Sequence, residues 1–236
     1  MILTGKDLVE LTGLTGFRDV NHELRKQFLI DLASRYFSPG ARIADIGCAA
    51  GDLTMELQAL GFRMTGVEFE PERLERARGM ASRLNLEPQF ISEDLTSWAG
   101  EGEFEGLIMG EVLEHFTEPR VILERHLSLL RPGGKVLVTV PNMASLRARL
   151  KLLFVGEFAD HNPEHRYYFT RRRFIEHFQG LPLRIVHLSS FLLEVTFSRS
   201  RTLARVERNL LSPLKRPMPW CGTHLVAVLE KISPNA

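Results

Sequence analysis

The stretch RIADIGCAAGDLTMELQALGFRMTGVEF, residues 42–69, decides the expected fold. It begins with an apolar run at 42–47, passes through a glycine-bearing turn into a helical pattern at 51–61, and returns to an apolar run at 62–69. A strand, a helix and a second strand in this order form a crossover unit, which places the two strands parallel and in one sheet. The stretch therefore predicts the start of an open parallel sheet.

The same alternation continues on both sides of this stretch. Helices are predicted at 21–37, 71–85 and 118–130, and strands at 88–92, 105–110, 135–140, 183–191 and 223–231. The last two strands are expected to form a closing antiparallel pair. Strands that alternate with helices of this length predict an α/β fold, a doubly wound and mostly parallel sheet.

Composition is that of an ordinary globular protein. The chain has 236 residues, of which 44% are hydrophobic and 25% charged, and its net charge is +1. This charge gives no general argument for nucleic acid or membrane as a partner. Cys48 and Cys221 lie in unrelated contexts, so neither a disulfide framework nor a thiolate metal site is indicated. Since no signal peptide and no run of membrane-spanning length is recognised, we expect a soluble cytoplasmic protein without stable membrane insertion.

One domain, residues 1–236, is expected, with four segments. They are a helical lead-in at 1–40, a cofactor-binding core at 40–142, an acceptor lid at 143–182 and closing strands at 183–236. The closing segment contains a basic helical pattern at 199–211, within a basic stretch that reaches residue 216. We interpret this pattern as a solvated surface helix, in preference to a membrane or polyanion contact.

The turn at 44–52 predicts a ligand site, because open parallel sheets bind ligands beyond the carboxyl ends of their strands. A dinucleotide fingerprint would need glycine at positions 49 and 52, but Ala49 and Asp52 stand there. What remains is Asp45 followed by a tight glycine turn. This suits a ligand that lacks a pyrophosphate and carries positive charge, such as S-adenosylmethionine. The alternative is a glycine turn that binds nothing.

Two further acidic residues follow the next two predicted strands. Glu68 ends the second strand, where a carboxylate can accept hydrogen bonds from both ribose hydroxyls of a nucleoside. Asp94 follows the third strand, where it can accept from an adenine amino group while Leu95 packs on the ring. Either acidic residue alone would be interpreted as a loop or helix-capping residue. Together with Asp45 they indicate a nucleoside pocket.

The segment GEVLEHF, residues 110–116, sets two carboxylates and an imidazole among apolar residues. If it is helical, Glu111, Glu114 and His115 share one face. Such a set can assist the removal of a proton from a substrate hydroxyl group, either as a base or through a bound metal ion. A set rich in oxygen ligands with one nitrogen suits Mg²⁺ or Mn²⁺ better than a structural zinc.

These motifs, in the order RIADIGCAAGDLTMELQALGFRMTGVEFEPERLERAR, EDL, GEVLEHF and LLRPGGKVLVTVPN, resemble those of class I S-adenosylmethionine-dependent methyltransferases. The resemblance covers about residues 40–142. It implies a seven-stranded sheet with the last strand antiparallel, and one bound S-adenosylmethionine. It also implies that Asp45, Gly47, Cys48 and Gly51 hold the methionine part, Glu68 and Phe69 the ribose, Asp94 and Leu95 the adenine, and that Gly110 and Glu111 line the floor near the methyl group. Ala49 departs from the usual middle glycine.

The later motifs resemble three groups of methyltransferases. The pattern E-x-x-E-H followed by HRYYFTRRRF, 165–174, resembles enzymes that modify the terminal 2′-hydroxyl of small RNAs, and E-x-x-E-H also resembles ubiquinone-pathway O-methyltransferases. By that resemblance the metal ligands are Glu111, Glu114, His115 and His165. PNMASLRARLKLLFVGEF with HRYYFT resembles bacterial enzymes that act on surface glycans and secondary metabolites. In many of these enzymes the residue at the position of Glu111 contacts the cofactor, and the residue at the position of His115 is a base or a packing residue.

Three roles for this acidic and imidazole set stay open: a metal site, a metal-free catalytic or acceptor-binding role for His115 or His165, and a structural role. The candidate catalytic residues are Glu111, His115 and His165. We expect O-methylation of a hydroxyl on a small molecule, a glycan or a lipid-linked metabolite. An RNA 2′-O-methyltransferase is the first alternative, and a non-catalytic cofactor-binding or scaffold protein is the second. The acceptor and the oligomeric state are left open by the sequence.

Overall fold

A computed structural model of the protein describes residues 20–98, 104–157, 162–191 and 220–232. The strands in this part of the chain are β1 (Arg42–Ile46), β2 (Arg63–Glu68), β3 (Gln89–Ser92), β4 (Phe104–Gly110), β5 (Leu130–Pro141), β6 (Leu183–Phe191) and β7 (His224–Lys231). The α-helices are α1 (Val20–Tyr36), α2 (Asp52–Ala59), α3 (Pro71–Arg83), α4 (Pro119–His126), α5 (Leu146–Val155) and α6 (Arg171–Phe178). Two short 3₁₀ helices span Leu113–His115 and Leu127–Leu129.

The seven strands form one sheet in the order β3-β2-β1-β4-β5-β7-β6. β1 pairs in parallel with β2 and with β4, and β2 pairs in parallel with β3. The strand order reverses between β1 and β4, and open α/β sheets bind ligands beyond the carboxyl ends of the strands at such a point. The predicted doubly wound α/β sheet is confirmed, and β6 and β7 are neighbours as predicted.

The boundary between α4 and β5 differs from its prediction. The apolar pattern predicted one helix at 118–130, but α4 ends at His126 and β5 already begins at Leu130. The Lys231 ammonium donates to the carbonyl oxygens of Leu127 and Leu130, at 2.8 and 2.7 Å. These bonds satisfy two carbonyl groups at the end of the helical segment, and a residue so distant in sequence could not be foreseen from the local pattern.

The described residues fall into two compact units. The first contains residues 20–98, 104–110, 125–137 and 230–232, and the second contains 111–124, 138–157, 162–191 and 220–229. In the first unit, a buried ion pair between Lys26 and Glu56 joins α1 to α2. In the second unit, Phe169, Phe174 and Phe178 pack with ring centroids 4.9–6.2 Å apart.

Some sequence predictions lie outside the described residues. They are the basic helix at 199–211 with the rest of the stretch to 216, and the first 19 residues of the helical lead-in. The segment boundaries at residues 40, 142 and 182 stay predictions. In the part of the chain that the structure describes, no helix combines the length and the apolarity needed to cross a membrane.

Candidate functional site

The turn between β1 and α2 contains three residues in the left-handed region of the backbone. Gly47, Ala49 and Gly51 have φ values of 74°, 49° and 77°. The amides of Gly47 and Cys48 both donate to the carbonyl oxygen of Val67 in β2, at 2.8 and 3.0 Å. Glycine stands at two of the three strained positions, because it alone adopts this conformation without steric cost. The turn is therefore fixed at the carboxyl edge of two parallel strands.

Asp45 is buried near the end of β1. The Thr54 hydroxyl donates to its Oδ2 at 2.6 Å. Burial raises the pKa of this carboxyl to about 6, with the Thr54 hydrogen bond acting against the rise and the charge of Glu68 adding to it. A cationic ligand beside Asp45 would compensate for the desolvation of its charge. The carboxyl group is thus placed to favour a positively charged partner.

A cavity of about 290 Å³ lies beside this turn. Its lining includes His22 and Arg25 from α1, Asp45 and Gly47 from the strand end and the turn, and Gly110 at the end of β4. His22 and Arg25 were not predicted, because the face that α1 presents depends on its packing against α2. The Asp45 carboxyl group together with the Arg25 guanidinium matches a ligand that carries both an amino group and a carboxylate.

Glu68 holds two loops at the end of β2. Its Oε2 accepts from the amide of Ala49 at 2.9 Å, and its Oε1 accepts from the amides of Phe69 and Glu70 at 2.9 and 3.1 Å. Glu68 is therefore at the predicted strand end, but its oxygens also order the glycine turn. Phe69 is 62% exposed, so its ring is open to a ligand at this edge.

Asp94 and Leu95 follow β3, which pairs with β2 so that Ser92 lies opposite Glu68. The Asp94 side chain is exposed, and its Oδ1 accepts from the amide and the hydroxyl of Thr96, both at 2.8 Å. These hydrogen bonds lower the pKa of Asp94. Leu95 is buried. The predicted adenine residues thus follow the strand next to the one that carries Glu68.

Cys48 is the remaining predicted methionine contact. Its thiol is buried, and burial together with the charges of Asp45 and Glu68 raises the pKa of this thiol far above its usual range. The thiol therefore stays protonated at neutral pH and is unsuited to nucleophilic chemistry. Cys48 serves as a small apolar residue of the cavity wall.

The residues of the first unit fit S-adenosylmethionine. Asp45 is a buried carboxyl in a cavity wall, where the cationic amino and sulfonium groups of this cofactor can offset its charge. Arg25 supplies a guanidinium for a carboxylate. Glu68 and Asp94 follow the next two strands at the same edge, where ribose and adenine can bind. The assignment of these residues to the individual parts of the cofactor stays a prediction.

The segment after β4 is not one helix, and its polar residues separate. Glu111 has a φ of 58° and lies outside the 3₁₀ turn at 113–115. Its Oε2 lies 3.3 Å from Nε2 of His224. Glu114 and His115, by contrast, are grouped with His165. The structure therefore brings together three of the four predicted metal ligands, and it places Glu111 with a different partner.

The group of Glu114, His115 and His165 is compact. One ligand atom from each residue lies within 4.8 Å of the others, and the two imidazole rings meet edge to face at 4.9 Å. The amides of Arg166 and Tyr167 donate to the carbonyl oxygen of Glu114, at 2.7 and 3.0 Å, and so hold the residues after His165 against the turn. Burial, followed by the neighbouring His165, lowers the pKa of His115.

The side chain of Asn142, at the end of β5, makes structural contacts with both its amide nitrogen and its oxygen. Its side-chain amide donates to the carbonyl oxygens of Trp220 and Gly222, at 3.0 and 2.8 Å, and its Oδ1 accepts from the amide of Ala144 at 3.0 Å. Its backbone amide donates to the carbonyl oxygen of Thr223 at 2.8 Å. Asn142 therefore positions residues 220–223.

The three adjacent arginines of the lid have three different partners. Arg171 lies over the Trp220 ring, Arg172 pairs with Glu176, and Arg173 lies over the ring of Tyr167. They do not form one common anion site, as the geometry of a helix requires. Of the neighbouring aromatic residues, Phe169 is buried in the core while Tyr168 is exposed.

The fold and the first unit's site together define a class I S-adenosylmethionine-dependent methyltransferase. A family model described as a methyltransferase domain matches residues 18–188. The chain belongs to this methyltransferase domain family, and its cofactor is S-adenosylmethionine.

Among curated proteins, the chain is similar to a ubiquinone biosynthesis O-methyltransferase of Xanthomonas campestris pv. campestris (strain B100). The two are 27% identical over 202 residues, which cover 83% of this chain and 84% of the relative. Among solved structures, an S-adenosylmethionine-dependent methyltransferase from Clostridium acetobutylicum has a TM-score of 0.63 at 12% identity and covers 91% of this chain and 94% of its own. The N-methyltransferase NodS from Bradyrhizobium japonicum has a TM-score of 0.61 at 17% identity and covers 97% and 98%. These structures share the fold.

Proposed function

We propose that the protein methylates a hydroxyl oxygen of a small molecule, a glycan or a lipid-linked metabolite in the cytoplasm. The observation that carries the proposal is the compact group of Glu114, His115 and His165. The name of the curated relative, a ubiquinone biosynthesis O-methyltransferase, supports the same kind of acceptor atom.

A hydroxyl acceptor needs more from the protein than alignment, because it must lose a proton as the new carbon–oxygen bond forms. S-adenosylmethionine supplies an activated methyl group. The lowered pKa of His115 keeps its imidazole neutral at pH 7 and able to accept this proton. His165, whose ring centroid lies 4.9 Å from that of His115, is the second candidate for the group that accepts the proton.

The same three residues fit a divalent metal ion, which would supply Lewis acidity at this position. Two imidazole nitrogens and one carboxylate suit Mn²⁺, Fe²⁺, Co²⁺ or Zn²⁺ better than Mg²⁺. The oxygen-rich set that favoured Mg²⁺ depended on Glu111, which lies outside this group. The metal-free and metal-assisted roles predict different responses to chelation.

A panel of acceptors tests the proposed function. Purified protein is incubated with S-adenosylmethionine and a catechol, a sugar alcohol, a primary amine, a thiol or a short single-stranded RNA. Release of S-adenosylhomocysteine and the mass of the product are then measured. We expect methyl transfer to a hydroxyl of a small acceptor. Transfer only to nitrogen or sulfur, or only to the RNA, would contradict the proposal.

Variants and chelation then define the role of the group. His115→Ala should lower kcat by about 10²–10⁴-fold, the usual contribution of a general base. His187→Ala, which removes a histidine of β6 paired with Ser189, is the matched control and should leave kcat unchanged. Full activity in excess chelator, with less than one equivalent of bound metal by elemental analysis, would remove the metal-assisted role. Unchanged kcat in both His115→Ala and His165→Ala would remove the group from catalysis.

A further inference from the structure

Glu111 has a backbone conformation that its surroundings must hold in place. Its φ of 58° is unfavourable for a residue with a side chain, and such conformations persist where neighbouring contacts determine them. Its amide donates to the carbonyl oxygen of Thr139 in β5 at 3.0 Å. The strained backbone points to a constraint on the position of the carboxylate.

The contact of that carboxylate is His224, the first residue of β7. Glu111 Oε2 lies 3.3 Å from His224 Nε2, and both side chains are 15% exposed. His224 Nδ1 lies 3.0 Å from the hydroxyl of Thr223. A carboxylate can only accept, so in this contact Nε2–H is the donor to Glu111, and the Thr223 hydroxyl can donate to Nδ1.

The start of β7 is itself held by several contacts. Asn142 donates to the carbonyl oxygens of Trp220, Gly222 and Thr223, three of the four residues before His224. The amide of Gly222 donates to Ser190 Oγ at 3.0 Å, and a Cβ at Gly222 would lie 2.4 Å from the carbonyl oxygen of Phe191. The Phe191 ring lies 5.4 Å from the His224 ring. The imidazole is therefore fixed by its own surroundings.

We propose that His224 is a positioning residue for methyl transfer, which donates Nε2–H to Glu111 and fixes that carboxylate for the hydroxyl of the acceptor. Glu111 follows Gly110, which lines the cofactor cavity, directly in the chain. The inference rests on the proposed function. It divides the E-x-x-E-H segment into the Glu111 carboxylate, which is held by His224 and orients the acceptor, and the group of Glu114 and His115, which accepts the proton.

A double-mutant cycle tests the inference. His224→Ala should lower kcat/KM by about ten- to a hundredfold, the order expected for a misplaced orienting group, while the Kd for S-adenosylhomocysteine changes less than twofold. His224→Gln retains an N–H donor and should recover part of the loss. In the pair His224→Ala and Glu111→Gln, the combined loss should be smaller than the product of the two single losses, because both variants break one interaction.

Independent losses that simply multiply would show that His224 does not act through Glu111 and would overturn the inference. So would an equal fall of activity in His224→Gln and His224→Ala. His187→Ala is again the matched control and should leave kcat/KM unchanged.

A spectroscopic measurement separates the failure of this inference from the failure of the proposed function. In protein with ¹⁵N-labelled histidine, His224 should show a protonated Nε2 and an unprotonated Nδ1, and Glu111→Gln should shift the Nε2 signal. This readout needs no turnover. A His224 signal that is insensitive to Glu111→Gln would refute the contact, even if hydroxyl methylation is observed.

Discussion

The negative charge of Asp45 has opposite effects on folding and on cofactor binding. Its buried carboxyl has a pKa raised to about 6 by desolvation, so its charge is costly in the empty protein and useful beside a cationic cofactor. The stability that the raised pKa contributes is fully present at a pH below the pKa of Asp45 in the unfolded chain. It is lost as the pH rises through 6, the pKa of Asp45 in the folded protein. Binding of a cationic ligand has the opposite dependence, since it requires the ionised form.

Cofactor affinity should therefore weaken in acid. Between pH 7.5 and pH 5, Asp45 changes from mostly ionised to mostly protonated, and the affinity for S-adenosylmethionine should fall about tenfold. Calorimetry at the two pH values measures this change. Asp45→Asn, which cannot ionise, should bind weakly at both. An affinity of the native protein that is equal at pH 7.5 and pH 5 would be inconsistent with this role.

Ala49 gives a second prediction at the residue scale. Its φ of 49° is strained for alanine, so Ala49→Gly should raise the free energy of unfolding by about 0.5–1 kcal/mol. Ala50→Gly is the matched control, because Ala50 lies in the same turn without a positive φ, and it should be neutral or destabilising. Chemical denaturation measures both. A gain in Ala50→Gly equal to that in Ala49→Gly would argue against local strain.

At the scale of the elements, β2 lies in close contact with the glycine turn and with β3. A Cβ at Gly66 would lie 2.8 Å from Cys48 Sγ and from two atoms of the Phe90 ring. Gly66→Ala should therefore displace the turn, destabilise the protein by about 1–3 kcal/mol and weaken cofactor binding. Thermal unfolding and calorimetry measure the two effects.

Gly79 provides the matched control within the same unit. It lies inside α3, and a Cβ there would have no heavy atom within 4 Å. Gly79→Ala should stabilise the protein by about 1 kcal/mol, because glycine is a poor helix residue, and should leave cofactor affinity unchanged. Equal effects of the two substitutions would contradict the close packing at β2.

The elements also show which features local sequence could predict. Apolar runs and glycine turns follow from short-range patterns, and the carboxyl edge of a parallel sheet gathers the strand ends that carry Asp45, Glu68 and Asp94. The position of these three residues at one edge of the sheet could therefore be predicted from the sequence. The contact of Lys231 with the end of the helical segment could not, since it joins residues about a hundred positions apart.

At the scale of the whole molecule, the site residues that the sequence did not predict lie outside the motifs, in the first helix and the last strand. His22 and Arg25 line the cavity through the packing of α1, and His224 reaches Glu111 from the last strand. The separation of Glu111 from Glu114 and His115 depends on a left-handed residue before a 3₁₀ turn, whereas a regular helix would have kept them together. Spacing alone assumes one regular backbone, and here the backbone is irregular.

The central claim is that this chain holds S-adenosylmethionine through the buried carboxyl of Asp45 at the end of β1. Titration calorimetry with S-adenosylhomocysteine and S-adenosylmethionine at pH 7.5 tests it most directly, using the native protein, Asp45→Ala and the exposed-site control Asp31→Ala. We predict saturable binding by the native protein and by Asp31→Ala, and no measurable binding by Asp45→Ala. Micromolar affinity retained in Asp45→Ala, or no binding of either ligand by the native protein, would contradict the account.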